Sequence, residues 1–285
     1  MRNRYFRGFV FILFGLLLHS KQDLSAQSPW VRSKAGFYTQ LSWQFIPEYH
    51  KRFSDNANLR YIHRAIREDA IQLYGEYGLT RKTTATIALP LRRLESDAQI
   101  RASGDYAAGT VWGLGNISLG IRHSLGGEVV KAAASLRVDL PTQTYQSESG
   151  LRTGFPATTV LPMISVGRGY RRAYWFAYGG YGFRTEGYNH FINIGLEAGV
   201  KLRKLWLIGF TDVHDPTTHP DVEVPLFNQQ SALYVPNQAY AAIGGKISWS
   251  PSRFWGITGS AAGAAYGRNV PAQPAYSAGV FFKWD

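Results

Sequence analysis

The sequence contains no cysteine. That removes disulfide frameworks, thiolate catalysis and a lipid-modified N-terminal Cys together. Beyond its first residues it also lacks any stretch approaching the roughly 20 apolar residues of a membrane helix. Basic residues outnumber acidic ones, 31 to 19, yet they form no run and no helical stripe. The electrostatic footprint of a nucleic-acid binder is therefore missing, and lipid phosphates or anionic solutes are the fitting acidic partners.

What is present begins with Met-Arg-Asn-Arg-Tyr-Phe-Arg, an apolar run from Phe9 to Leu18, and then Leu24-Ser25-Ala26. A basic start, a short apolar core and a small-residue junction together form an export signal, too short to span a bilayer. The expected division is a signal peptide over 1–26 and a mature domain over 27–285. The first 26 residues carry four basic side chains and one acidic, so the mature chain keeps a surplus of nine positive charges.

The mature sequence alternates. Phe37, Thr39, Leu41, Trp43 and Phe45 oppose Tyr38, Gln40, Ser42 and Gln44, and Ile71, Leu73 and Tyr77 oppose Gln72, Tyr74 and Glu76. Ile117, Leu119, Ile121 and Leu125 oppose Ser118, Gly120, Arg122 and Ser124. After Gly126-Gly127-Glu128 the pattern resumes, with Lys131, Arg137 and Asp139 on the polar face. Further on, Ile192, Ile194, Leu196 and Val200 face away from Asn193, Glu197 and Lys201. Period two joined by glycine turns predicts antiparallel hairpins. Twelve strands are expected, near 35–46, 66–78, 83–93, 113–125, 129–141, 157–168, 172–185, 188–201, 205–215, 238–250, 253–267 and 274–284. Short turns alternate with longer links at 47–65, 94–112, 142–156 and 216–237. The prediction is an all-β fold, a transmembrane antiparallel up-and-down β-barrel of about twelve strands. Both termini and the short turns would then be periplasmic, in the outer membrane of a Gram-negative cell. A soluble antiparallel barrel or sandwich also alternates, but the export signal and the aromatic-flanked strands favour the membrane form.

The run Gly113-Leu114-Gly115-Asn116-Ile117-Ser118-Leu119-Gly120-Ile121-Arg122, with Ala134-Ser135-Leu136-Arg137-Val138-Asp139-Leu140-Pro141-Thr142 after it, resembles a hallmark hairpin. It is similar to that of the outer-membrane channels of the phenol-degradation meta-pathway transporter family. Asn116 stands where that family has Asp, and Gln143 where Gly is common. The resemblance implies a channel or transporter for small, hydrophobic or anionic molecules. The last strand, with Tyr276, Ala278, Val280, Phe282 and Trp284 on one face, resembles the signal read by barrel-assembly machinery, although Asp285 follows the final aromatic. Expected partners are thus that machinery, outer-membrane lipid and lipopolysaccharide, and a small-molecule solute, with no nucleic acid and no cofactor. The alternative is a non-conducting structural or surface-binding barrel, which an occluded lumen would favour.

The polar faces nominate Glu76, Arg122, Lys131, Arg137, Asp139, Glu197 and Lys201 as lumen-lining residues. Charges enclosed in this way are expected to pair across the barrel. His214, Asp215, His219 and Asp221 gather potential metal ligands at one strand end, but their spacing matches no compact ligand motif, and a solvated loop is the simpler reading. Catalysis is not expected. His123 and Ser124 are adjacent and so point to opposite faces of a strand. Nothing in the sequence directs His50, His63, Asp55 and Asp69 toward one another. Arg67-Glu68-Asp69 and Arg101 through Asp105 read as exposed charges near the lipopolysaccharide zone.

Overall fold

In a computed structural model, the structure describes residues 27–54, 58–98, 107–222 and 231–285, with the His63 side chain left aside. The 1–26 segment, Asp55 and Arg101 through Asp105 lie outside the described residues. The strands are β1 (Phe37–Phe53), β2 (Leu59–Gly78), β3 (Thr83–Ser96), β4 (Gly109–Leu114), β5 (Ile117–Gly126), β6 (Lys131–Leu140), β7 (Tyr145–Gln146), β8 (Leu151–Arg152), β9 (Thr159–Gly169), β10 (Ala173–Arg184), β11 (Phe191–Leu202), β12 (Leu205–Pro216), β13 (Ala239–Trp249), β14 (Trp255–Arg268), β15 (Val270–Pro271) and β16 (Ala275–Trp284).

Twelve of these close a ring, in the order β1-β2-β3-β5-β6-β9-β10-β11-β12-β13-β14-β16 and back to β1. Every neighbour in the ring is antiparallel. Closure is visible at Leu41, which lies opposite Leu73 of β2 on one side and Val280 of β16 on the other. With no free edge, every backbone N–H and C=O in the ring has a neighbouring strand to pair with, which a span through lipid requires. Outward positions are apolar and open, such as Leu41 at 50% and Ile243 at 60% exposure, whereas the alternate residues Ser42 and Glu76 are buried inside. A soluble barrel would show the reverse, so the alternation is that of a membrane barrel.

Outward aromatic rings gather at two levels. Trp43, Phe45 and Tyr276 stack on one another at 4.5 and 5.3 Å, and Phe254 stacks on Trp284 at 5.1 Å. Tyr276 and Trp284 are separated along β16 by about 26 Å of strand, close to the height of the apolar band of such barrels. The turns at the Trp284 end carry Arg81, Lys82, Arg171, Arg172, Arg203 and Lys204, so that rim is strongly basic.

The twelve expected strands are the twelve of the ring, with two differences. Most of the expected 47–65 link is strand: β1 and β2 run on past the membrane band, with register irregularities between Ile46 and Tyr49 and between Tyr49 and Lys51. Pro47 lies in the first and has no N–H to give, so period two breaks there without ending the strand. The extension persists because Tyr49, Ile62 and Ile66 bury against Leu94, Val111, Leu151 and Leu233 above the barrel. The strand expected to begin at 113 instead breaks at Gly115 and Asn116, with β4 pairing only to β3.

Replacing Ile243 by Arg is expected to destabilise the barrel in phospholipid vesicles by about 2–4 kcal/mol, as for a charge placed near the bilayer midplane. Urea unfolding in vesicles measures this, and an unchanged midpoint would place that face in water instead.

Candidate functional site

The interior has two kinds of wall. On β1, β2, β5 and β6 the inward residues are polar. On β9 to β12 they include Leu161, Met163, Tyr174, Phe176, Tyr178, Phe191, Trp206 and Ile208, which form one buried cluster toward the short-turn end, with Asn193, Asp212 and His214 beyond it. The lumen is therefore apolar along one side at that end, where both faces of strands such as β10 carry large side chains.

The chain before β1 enters this interior from the end of the short turns. It doubles back at Gly78, whose N–H donates to the Gly36 carbonyl at 2.8 Å and whose own carbonyl accepts from Ala35 at 2.8 Å. A Cβ at Gly78 would lie 1.8 Å from the Ser33 carbonyl oxygen, so glycine is required for the close approach. Inside, Trp30 meets Tyr174 and Phe176 edge-on at 6.1 and 6.0 Å. Ser28, Arg32, Glu76 and Arg122 are all buried.

Glu76 organises this segment. Its carboxylate accepts from Arg32 Nε at 2.7 Å, from Arg122 Nη2 at 2.7 Å and from the Tyr74 hydroxyl at 2.8 Å. Arg122 Nη1 also donates to the Ser28 carbonyl at 3.2 Å, and the Arg32 backbone N–H donates to Thr84 Oγ1 at 2.8 Å. Arg32 lies over the Tyr38 ring at 5.0 Å and 3.7 Å from an Asp285 carboxylate oxygen. The acidic residue after the last aromatic thus has a structural use. Two guanidiniums and the Glu76 and Asp285 carboxylates form one ion-pair cluster across the barrel.

Beyond this segment lies a chamber of about 400 Å³. Gln27 lines its inner end; Phe155, Ala232, Leu233, Tyr234 and Pro271 line the other; Arg92, Arg137, Arg184, Asp139, Asp212 and His214 project from the walls. The hairpin that resembled the channel family builds part of this roof. Asn116 donates from Nδ2 to the Leu140 and Phe155 carbonyls at 3.0 and 2.8 Å and accepts from the Phe155 N–H at 2.7 Å. Thr142 accepts from the Ile117 N–H at 3.1 Å and donates to the Gly115 carbonyl. The strand break at Gly115 and Asn116 therefore serves to tie down the loop carrying Phe155.

Most charges in the chamber are matched. Arg92 pairs with Glu68, which also accepts from the Tyr234 hydroxyl at 2.7 Å. Burial pushes the Tyr234 phenol well above its usual range, so it remains a donor. Arg137 Nε is 3.2 Å from Asp139, whose carboxylate accepts from Ser118 at 2.5 Å. Asp212 accepts from Tyr178 at 2.6 Å, Asn193 at 2.8 Å and Tyr240 at 3.0 Å.

Of the residues nominated from sequence, Glu76 and Arg122 meet each other at the N-terminal segment, and Arg137 and Asp139 meet in the chamber. Glu197 accepts from Tyr174 at 2.6 Å and pairs with Lys246 at 3.2 Å. Lys131 is exposed and bonds the Gly127 carbonyl at 2.6 Å, and Lys201 lies 5.6 Å over the Trp206 ring near the short-turn rim. His214 points inward, stacked between Phe191 and Tyr240 at 4.1 and 5.4 Å, while Asp215, His219 and Asp221 are exposed. These four are not brought together, and among the described residues no three His, Asp or Glu side chains converge on a metal-sized space. His123 contacts Thr83 Oγ1 at 3.0 Å on the outer face, Ser124 bonds the Gly126 N–H, and His50 lies 3.2 Å from Glu48. Asp69 pairs with Arg67 at 2.8 Å, but Glu68 between them is buried rather than exposed, because alternation turns it inward. Arg32, Arg92 and Arg184 were not nominated. Arg32 lies outside any periodic run, and β10 is apolar on both faces, which hides the inward side of Arg184.

This barrel is similar in structure to the COG4313 outer membrane channel from Pseudomonas putida F1, with a TM-score of 0.68 over 93% of this chain and 100% of that one at 11% identity. The fold is that of an outer-membrane β-barrel. The translocator domain of autotransporter NalP from Neisseria meningitidis is also similar, at TM-score 0.53 and 14% identity over 88% of this chain and 90% of that one. KdgM porin gives 0.50 at 5% identity, over 86% and 99%. No family model matches the sequence, and no curated protein matches it. The likeness to channels read from the Gly113–Thr142 hairpin is met at the level of fold.

Replacing Glu76 by Ala leaves two buried guanidiniums without their shared anion, with an expected loss of about 3–5 kcal/mol. Unfolding in vesicles reads the loss, and amide exchange at Ser28 to Arg32 should quicken. The double variant Glu76→Leu with Arg122→Leu should recover most of the barrel's stability but not the protection of that segment. Equal stability of wild type and Glu76→Ala would contradict the assignment.

Proposed function

We propose that this chain is an outer-membrane channel for the passage of small solutes, anionic ones favoured, with its N-terminal segment setting the width of the throat. The observation that carries this reading is the enclosed polar chamber lined by Arg92, Arg137 and Arg184, lying in a barrel whose short-turn rim is strongly basic. A low-dielectric wall around cations raises the local concentration of anions and repels cations. The segment across the throat is held chiefly by ion pairs and by one indole, a set of contacts that water can replace. The basic turns and both ends of the mature chain face the periplasm in this reading, with the extended β1 and β2 outward.

One observation favours the second reading, a non-conducting structural barrel: the N-terminal segment packs across the interior beside Trp206 and Phe176. The two readings part in planar bilayers. Purified protein is expected to give stepwise unitary currents with an anion-selective reversal potential, and a variant lacking residues 28–32 should give larger ones. Silence of both, from protein that is folded and inserted, would leave the structural reading standing.

A further inference from the structure

The chamber holds one cation, Arg184, that no carboxylate pairs among the described residues. Arg184, the last residue of β10, projects inward between two phenyl rings, 4.1 Å from the Phe155 centroid and 4.4 Å from that of Phe191. Its Nε is buried without a hydrogen-bond partner, and among the described residues no carboxylate lies within ion-pair distance of its guanidinium. The two aspartates of the chamber are already engaged, Asp139 by Arg137 and Ser118, and Asp212 by Tyr178, Asn193 and Tyr240.

A half-buried guanidinium with no anion is costly to maintain, and ring faces offset only part of that cost. The placement is nonetheless built. Gly182 leaves room for Phe191, whose ring a Cβ there would overlap at 2.1 Å, and Asn116 fixes the loop of Phe155. The guanidinium lies over both rings, and its Nη atoms, unlike Nε, are not closed off, so they are the groups left to donate. Arg137, on β6 with β9 between it and β10, lies with its Nε 3.2 Å from Asp139. Ala232, Leu233 and Pro271 supply an apolar surface near these groups.

We infer that Arg184 is the anchor of a solute-binding site for a small monocarboxylate, whose carboxylate accepts from the Nη atoms of the guanidinium while its apolar body lies against Leu233 and Pro271. One unpaired guanidinium in a chamber of about 400 Å³ that also holds the Asp212 carboxylate fits a single carboxylate with an apolar body better than a phosphate dianion, which Asp212 would repel. The inference rests on the channel reading for its biological use, but not for its test.

Binding of butanoate to the purified full-length protein in detergent, followed by saturation-transfer NMR, reads the site whether or not the barrel conducts. Wild type is expected to bind butanoate saturably and butanamide not at all. Replacement of Arg184 by Gln should weaken butanoate by roughly tenfold or more, as for loss of a charge-assisted hydrogen bond, and Arg184→Lys should fall between the two. Heat-modifiable migration confirms that each variant is folded, and a variant that fails this check is replaced by Phe155→Ala, which removes one clamping ring from the loop and should weaken binding in the same direction. Equal binding by wild type and Arg184→Gln, no saturable binding by wild type, or inorganic phosphate outcompeting butanoate would each overturn the assignment. Binding without any current in bilayers would sink the channel reading and leave the site.

Discussion

A carboxylate shared by two buried guanidiniums is the constraint around which the interior is arranged. Glu76 comes from β2, Arg122 from β5 and Arg32 from the segment before β1, so this one cluster fixes the N-terminal chain against two separate parts of the wall. Without the anion, neither arginine could be enclosed at acceptable cost. With it, the segment is held by charge rather than by a dry core, and only Trp30 contributes substantial apolar contact. The chamber lies between Gln27 of this segment on one side and the loops carrying Phe155 and Tyr234 on the other.

The outer surface answers a different demand. Lipid offers no hydrogen bonds, so the ring must close and its outward residues must be apolar. Both follow from period two once the strands are antiparallel. The inner surface is under no such uniform rule. Polar residues on β1, β2, β5 and β6 face charged partners, whereas β9 to β12 present rings that pack on Trp30 and stack with His214. Both walls then contribute to the chamber, Arg137 and Asp139 from β6 and Arg184, Asp212 and His214 from β10 and β12.

Alternation made the ring legible from sequence. Leu41 and Leu73 outward, Ser42 and Glu76 inward, and the Gly126-Gly127 turn all lie where period two puts them, and Glu76 and Arg122 were nominated separately before the structure brought them to 2.7 Å. Less legible were elements without a period. Residues 27–34 fell before the first expected strand and follow no period, so neither Arg32 nor Trp30 could be placed. Pro47 interrupted the alternation and concealed the extension of β1. Glu68 looked like its neighbours Arg67 and Asp69 because the strand appeared to start there. Arg184 was masked by the rings on both faces of β10, and Phe155 by its position in a loop that only Asn116 fixes. What pattern could not supply was long-range pairing, which depends on closure of the whole ring.

The central claim, that the N-terminal segment inside the barrel governs passage, is tested most directly by tethering it. The absence of native cysteine permits a single introduced pair, Trp30→Cys with Phe176→Cys, whose native rings lie 6.0 Å apart. The pair is joined by a short reducible bis-thiosulfonate linker, and unitary current is recorded before and after reductant. The account predicts that the tethered barrel passes smaller or rarer currents and that reduction raises them. Currents of the same size and frequency with the tether intact would contradict it.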